Sequence, residues 1–62
     1  MTPFHLQLVL EYFAAQPRSE RTTDRLNMIV EHVGATYCLS AEVQQELYAA
    51  GQGVARTRGL LV

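Results

Sequence analysis

The stretch that decides the fold is residues 22–34, with the sequence TTDRLNMIVEHVG. Its aliphatic side chains recur at spacings of three and four residues, which is the period of an α-helix with one buried face. The pattern predicts a helix over about residues 19–33 that ends at Gly34, because glycine adopts the left-handed conformation of a helix end without strain. It also predicts that four side chains of this helix lie in the core: Leu26, Ile29, Val30 and Val33.

A second helix is predicted upstream, over about residues 3–16. Thr2 and Pro3 form a favourable helix start, since threonine can cap free N–H groups and proline is tolerated in the first turn. Pro17 stops the helix because its ring clashes with the preceding turn. The apolar residues alternate within residues 4–13, which also fits a strand, but the abundance of Leu, Ala, Gln and Glu favours a helix.

A third helix is predicted over about residues 40–50, with Ser40 as its N-cap and Gly51 at its end. The tail of residues 52–62 closes on apolar side chains, and we expect it to dock on the rest of the chain. The predicted fold class is therefore all-α, with three short helices and a C-terminal tail in one small domain. The alternative is a small α+β fold with strands at residues 4–13 and in the tail.

The first predicted helix has more apolar surface than a three-helix monomer can cover. Its side chains are apolar around more than half of its circumference. Charged residues make up only 18% of the chain, against roughly 25% in an average domain, although a small domain has a large relative surface. We therefore expect a partner to cover part of this surface. A symmetric homodimer through the first helix is the commonest way to supply one.

The composition argues against several classes of protein. The net charge is −1 and all five basic residues are arginine, so no basic excess drives the binding of nucleic-acid phosphates. Arginine without lysine in an alanine-rich chain indicates a GC-rich genome, as in many bacteria and phages. No apolar run approaches the roughly 20 residues of a membrane span, and the N-terminal residues make a poor signal peptide. A single cysteine, Cys38, cannot form an internal disulfide, which favours a cytoplasmic location.

Neither metal binding nor catalysis is expected from the sequence. The candidate metal ligands His5, His32 and Cys38 do not follow the spacing of a known metal motif. His32 is the nearest residue in sequence that could activate the Cys38 thiol. A chain of this length can hardly enclose a substrate and still pack a core. We therefore predict no enzymatic activity, no metal and no cofactor.

Residues 39–51 resemble the first helix of some helix-turn-helix DNA-binding domains. The resemblance covers about a fifth of the chain, and its residues are common ones. It implies a small DNA-binding transcriptional regulator, in which Arg56 and Arg58 are the candidate nucleic-acid contacts. The second helix of the motif would fall on residues 53–59, a short segment with a glycine at each end.

The leading prediction is a small regulatory or adaptor protein that docks on another protein and has no chemistry of its own. Binding energy in such interfaces concentrates in a few aromatic or arginine anchors. The candidate anchors here are Phe4, Tyr12, Tyr48, Leu60 and Leu61. The partner is another protein whose identity the sequence leaves open. The same side chains could instead lie inside the homodimer.

Overall fold

The computed structural model describes residues 3–62 and consists of three α-helices in this range. Helix α1 spans Pro3–Ala14, α2 spans Thr23–Thr36 and α3 spans Ala41–Thr57, and a 3₁₀ helix at Arg18–Glu20 lies between α1 and α2. The predicted all-α class with three helices is confirmed. The α+β alternative is wrong for residues 3–62, because residues 4–13 are helical and the tail forms no strand. Within the same range, no helix is both long and apolar enough to cross a membrane.

Helix α1 ends two residues before the predicted boundary at residue 16. Its last residue is Ala14, and the chain turns through residues 15–16 before it reaches Pro17. The early end agrees with the restriction that proline places on the residue before it, which disfavours helical backbone there. The predicted Thr2 cap lies outside the described residues.

Helix α2 begins later than predicted and ends later as well. The Oγ1 atom of Thr22 caps it by accepting a hydrogen bond from the backbone N–H of Arg25 at 3.2 Å. The predicted end at Gly34 is wrong, because Gly34 is buried inside the helix, where α3 packs against it. A Cβ atom at Gly34 would lie 2.9 Å from Cδ of Gln44 and overlap the end of that side chain. The glycine therefore allows close packing instead of ending the helix.

Cys38 performs the role that was predicted for Gly34. Its φ angle is 53°, in the left-handed region. Its N–H donates to the carbonyl of Ala35, and the N–H of Leu39 donates to the carbonyl of Gly34 at 2.9 Å. This is the Schellman motif, in which the backbone N–H groups of the two residues after the C-cap donate to free carbonyls of the last helical turn.

Helix α3 continues well past the predicted end at Gly51, so the tail is residues 58–62 and not 52–62. Ser40 caps its start, with Oγ accepting from the N–H of Val43 at 3.2 Å. Gly51 is buried within the helix, and a Cβ atom there would meet Val9 Cγ1 at 3.8 Å. The burial of Ala55, one turn later, favours continued helix over the poor propensity of two glycines. The helix ends at Thr57, and Gly59, whose φ angle is 69°, adopts the left-handed conformation that follows the helix end.

All three helices contribute to one apolar core. No polar side chain is buried among residues 3–62. Three of the four core residues predicted in α2 are fully buried, whereas Ile29 is half-buried at the edge of the core, where it lines an open groove between α1 and α2. The buried apolar residues are Val9, Leu10, Phe13, Leu26, Val30, Val33, Leu47 and Ala55.

The tail docks on the segment that precedes α2. The backbone N–H of Val62 donates to the carbonyl of Arg21 at 2.9 Å, and Nε of Arg21 donates to the carbonyl of Leu60 at 2.8 Å. Leu60 and Leu61 are half-buried against the core. These contacts hold the end of the chain beside the start of α2.

Replacing Cys38 with glycine should stabilise the protein by about 1 kcal/mol, because a side chain in the left-handed conformation costs roughly 1–2 kcal/mol and glycine avoids most of it. Urea unfolding followed by circular dichroism measures the change. The matched control is Gly59→Ala at the equivalent position of α3, which should destabilise by a similar amount. A Cys38→Gly variant less stable than the parent would contradict the assigned helix end.

Candidate interaction surface

A groove between α1 and α2 opens on the surface of the bundle, with a volume of about 410 Å³. Its most exposed apolar side chains are Met28, which is 58% exposed, and Tyr12, which is 45% exposed. Ala15 and the half-buried Ile29 add further apolar surface. We call this the α1–α2 groove. Its lining residues are Tyr12, Ala15, Gln16, Arg25, Met28, Ile29 and His32.

An aromatic cluster connects the start of α1 to the end of α2. The rings of Phe4, His5 and Tyr37 meet edge to face, with centroids 5.3–5.6 Å apart. Phe4 and Tyr37 are still 54% and 42% exposed. Aromatic pairs in this edge-to-face geometry contribute interaction energy in addition to that from the apolar area they bury. The cluster therefore keeps two aromatic rings ordered on the surface.

A second groove lies on the other side of α1, between this helix and the tail, with a volume of about 560 Å³. Leu6, Leu10 and Leu60 provide apolar walls, and the charged residues that line it are Glu11 and Arg58. We call it the α1–tail groove. Helix α1 therefore presents apolar side chains on both sides of its exposed ridge, as the wide apolar face in its sequence predicts.

The predicted anchors do not form one patch. Phe4 and Tyr12 are exposed on α1, about 12 Å apart along the helix axis. Tyr48 is half-buried between α2 and α3. Leu60 and Leu61 pack against the core from the tail. The structure thus brings two of the five residues to the α1–α2 side and places the other three elsewhere.

Tyr48 has hydrogen-bond partners within the chain. Its hydroxyl donates to Oε1 of Glu31 at 3.1 Å and accepts from Nε2 of Gln44 at 3.3 Å. A neighbouring bond between Gln52 and Asn27 also joins α3 to α2. Tyr48 thus links α3 to α2 through its hydrogen bond to Glu31.

Sequence reasoning missed Met28, Ile29 and Tyr37 as surface anchors. Ile29 was predicted as core because it falls in the aliphatic stripe of α2. Met28 lies just outside that stripe, on a side of α2 that the pattern assigns to solvent. One exposed apolar side chain is ordinary on a protein surface, so Met28 carried no local signal of an apolar patch. Tyr37 follows the last turn of α2, and nothing in the sequence indicates that its ring meets Phe4.

The arginines proposed as nucleic-acid contacts lie near the C-terminal end of α3. Arg56 is in the last turn of α3, Arg58 follows it, and both are exposed. The separate second helix that a helix-turn-helix motif would place over residues 53–59 is not present, because α3 runs unbroken to residue 57. The exposed first turns of α3 carry Glu42 and Glu46, which would repel a phosphate backbone.

The candidate metal ligands are not gathered into a site. Cys38 is exposed, and His32 lines the α1–α2 groove. His5 packs against Phe4 and Tyr37. Across residues 3–62, no group of three or more His, Cys, Asp or Glu side chains is arranged to hold a metal ion.

Comparisons with protein-family models, with curated proteins and with solved structures give no match. The assignment of a function therefore depends on the surface of the molecule.

Replacing Tyr48 with phenylalanine should destabilise the protein by about 1 kcal/mol, since it removes the hydrogen bond from α3 to Glu31 of α2 and the bond to Gln44 within α3 but keeps the packed ring. Urea unfolding measures the loss. Tyr12→Phe, on the exposed side of α1, is the matched control and should leave the stability unchanged. Equal stability of the two variants would show that the hydrogen bonds of the Tyr48 hydroxyl do not stabilise the fold.

Proposed function

We propose that this protein is a small regulatory or adaptor protein that acts by docking on another protein, without catalysis. The observation that supports the proposal is the apolar surface along α1 and α2. Four large side chains, Phe4, Tyr12, Met28 and Tyr37, remain about half exposed, although the core beneath them is closed. They lie in two pairs, Phe4 with Tyr37 and Tyr12 with Met28. Apolar surface exposed in this way is typical of interaction sites.

The chemistry of these side chains suits an interface. Aromatic residues supply large contact areas with few rotatable bonds, and methionine adapts to irregular partner surfaces. The tyrosine hydroxyls can stay hydrated at the rim while the rings are covered. Each anchor should contribute on the order of 1–2 kcal/mol, so that the loss of one weakens the complex without abolishing it.

A DNA-binding regulator is the alternative function. Arg56 and Arg58 are the residues that would carry it. The net charge of −1 and the acidic start of α3 argue against it. The two functions differ in salt dependence, because phosphate contacts release counterions and weaken steeply with added salt, whereas apolar docking does not.

Replacing Tyr12 with alanine should weaken binding to the native partner about tenfold. The partner is first captured from the native host with the parent protein and identified. Affinity is then measured at about 0.05 M and about 0.5 M salt, after circular dichroism has confirmed that each variant folds. Phe4→Ala should behave like Tyr12→Ala, and Gln45→Ala, on the exposed face of α3, is the control.

Two results would contradict docking through α1. One is unchanged affinity in both Tyr12→Ala and Phe4→Ala. The other is a loss of binding in Arg56→Ala and Arg58→Ala together with a steep salt dependence, which would favour the DNA-binding alternative.

We also propose that two copies pair through α1, on the side of the α1–tail groove. Glu11 and Arg58 line this groove together, so its charge is self-complementary. A two-fold axis can pair Glu11 of one copy with Arg58 of the other, and the reverse. The apolar walls of the groove would then be covered by the same residues of the second copy.

Sedimentation at micromolar concentration should therefore give a mass of about twice 7.0 kDa. Glu11→Arg should shift the equilibrium toward monomer, because it places like charges opposite each other. Adding Arg58→Glu to that variant should restore the dimer. A parent protein that sediments as a monomer would contradict the proposal, and so would a charge-reversed pair that stays monomeric.

A further inference from the structure

We propose that the α1–α2 groove is the docking site for an amphipathic helix of the partner, and that this helix carries acidic side chains beside its apolar face. The inference rests on the proposed docking function and names the chemistry of the partner. It concerns a different side of α1 from the one assigned to the second copy.

The shape of the groove fits a helix. Phe4, at the start of α1, contacts Tyr37, just after the end of α2, so the two helices run antiparallel. Helix α3 packs on one side of this pair and buries Leu47 and Ala55 there. The α1–α2 groove is open where a fourth helix would complete a bundle.

The dimensions of the groove set the size of the occupant. Its lining residues on α2 run from Arg25 to His32, about 10 Å along the helix axis. A partner helix of about two turns would cover it. Its apolar residues, at the spacing of one helix face, would contact Ala15 and Ile29 between the side chains of Tyr12 and Met28. Helix-in-groove recognition works through such regularly spaced anchors.

The charge of the groove selects an acidic occupant. Arg25 and His32 line it from α2, two turns apart, and no Asp or Glu lines it. The acidic neighbours of Arg25 are Glu20 and Asp24. Oε1 of Glu20 lies 3.3 Å from the Arg25 guanidinium, but both side chains are more than a third exposed. Such a surface ion pair contributes little, so a carboxylate of the partner can replace it.

A second copy of the chain fits this groove less well. A two-fold axis through the groove would bring the Arg25 guanidinium groups of both copies into one interface, with no Asp or Glu in the lining to separate them. The like charges would repel, whereas a carboxylate of a different protein would be attracted. The charge of the groove therefore favours a different protein.

The test uses three synthetic peptides of about 14 residues, each long enough for the groove. The acidic peptide has leucines on one helix face, flanked by glutamates. The basic peptide replaces every glutamate with lysine, and the third replaces the leucines with serine. Binding to the full-length protein is measured by fluorescence anisotropy, and the contact surface is mapped by NMR chemical shifts.

We expect the acidic peptide to bind at least about tenfold more tightly than the basic peptide, and the serine peptide not to bind. The shifted signals should belong to residues of the groove, including Tyr12, Met28 and His32. Arg25→Glu should reverse the preference between the acidic and basic peptides. Arg56→Glu makes the same charge change outside the groove and should leave the preference intact.

Several results would overturn the inference. They are equal affinity for the acidic and basic peptides, chemical-shift changes confined to another surface, or a preference that survives Arg25→Glu. Self-association that maps to the groove would assign it to a second copy instead. If the native partner binds the Phe4→Ala variant more weakly but binds the Arg25→Glu variant as it binds the parent, the assignment of the groove is wrong. The proposed docking function is retained in that case.

Discussion

The fold depends on the burial of three large side chains, one from each helix. Phe13, Leu26 and Leu47 are the largest fully buried residues and belong to α1, α2 and α3 respectively. A chain of this size has little else to stabilise it, because it has no disulfide and no buried polar network among residues 3–62. Replacing any of these three side chains with alanine would remove a large fraction of the stability that a small domain has.

The exposed apolar surface arises because the core buries only one side of α1. The helix buries Val9, Leu10 and Phe13 on one side, while its sequence is apolar around more than half of its circumference. Phe4 and Tyr12 are therefore left on the outside, Phe4 beside Tyr37 and Tyr12 in the groove that Met28 also lines. The same helix that completes the core creates the apolar surface, so the docking and dimer proposals both concern α1.

Gly34 and Gly51 show that tertiary packing can override local sequence signals. Gly34 and Gly51 were both predicted to end helices, and both lie buried inside them. Gly34 is packed against the end of the Gln44 side chain, and Gly51 lies in ordinary contact with Val9 and Leu26. At both positions tertiary packing outweighs the weak helix propensity of glycine. The helix end at Cys38 has no glycine and was not recognised for that reason, whereas at Gly59 the residue and the conformation agree.

The sequence by itself determined the all-α class, the three helices, the Ser40 cap and most of the buried stripe of α2. These features depend on residues that are close together in the chain, so periodicity and capping chemistry predict them. It also indicated that α1 has an apolar excess. Only the tertiary structure decided where that excess is exposed, which partners Tyr48 has and how far α3 extends. Those outcomes depend on contacts between distant residues, such as Phe4 with Tyr37 and Tyr48 with Glu31, and no local pattern encodes them.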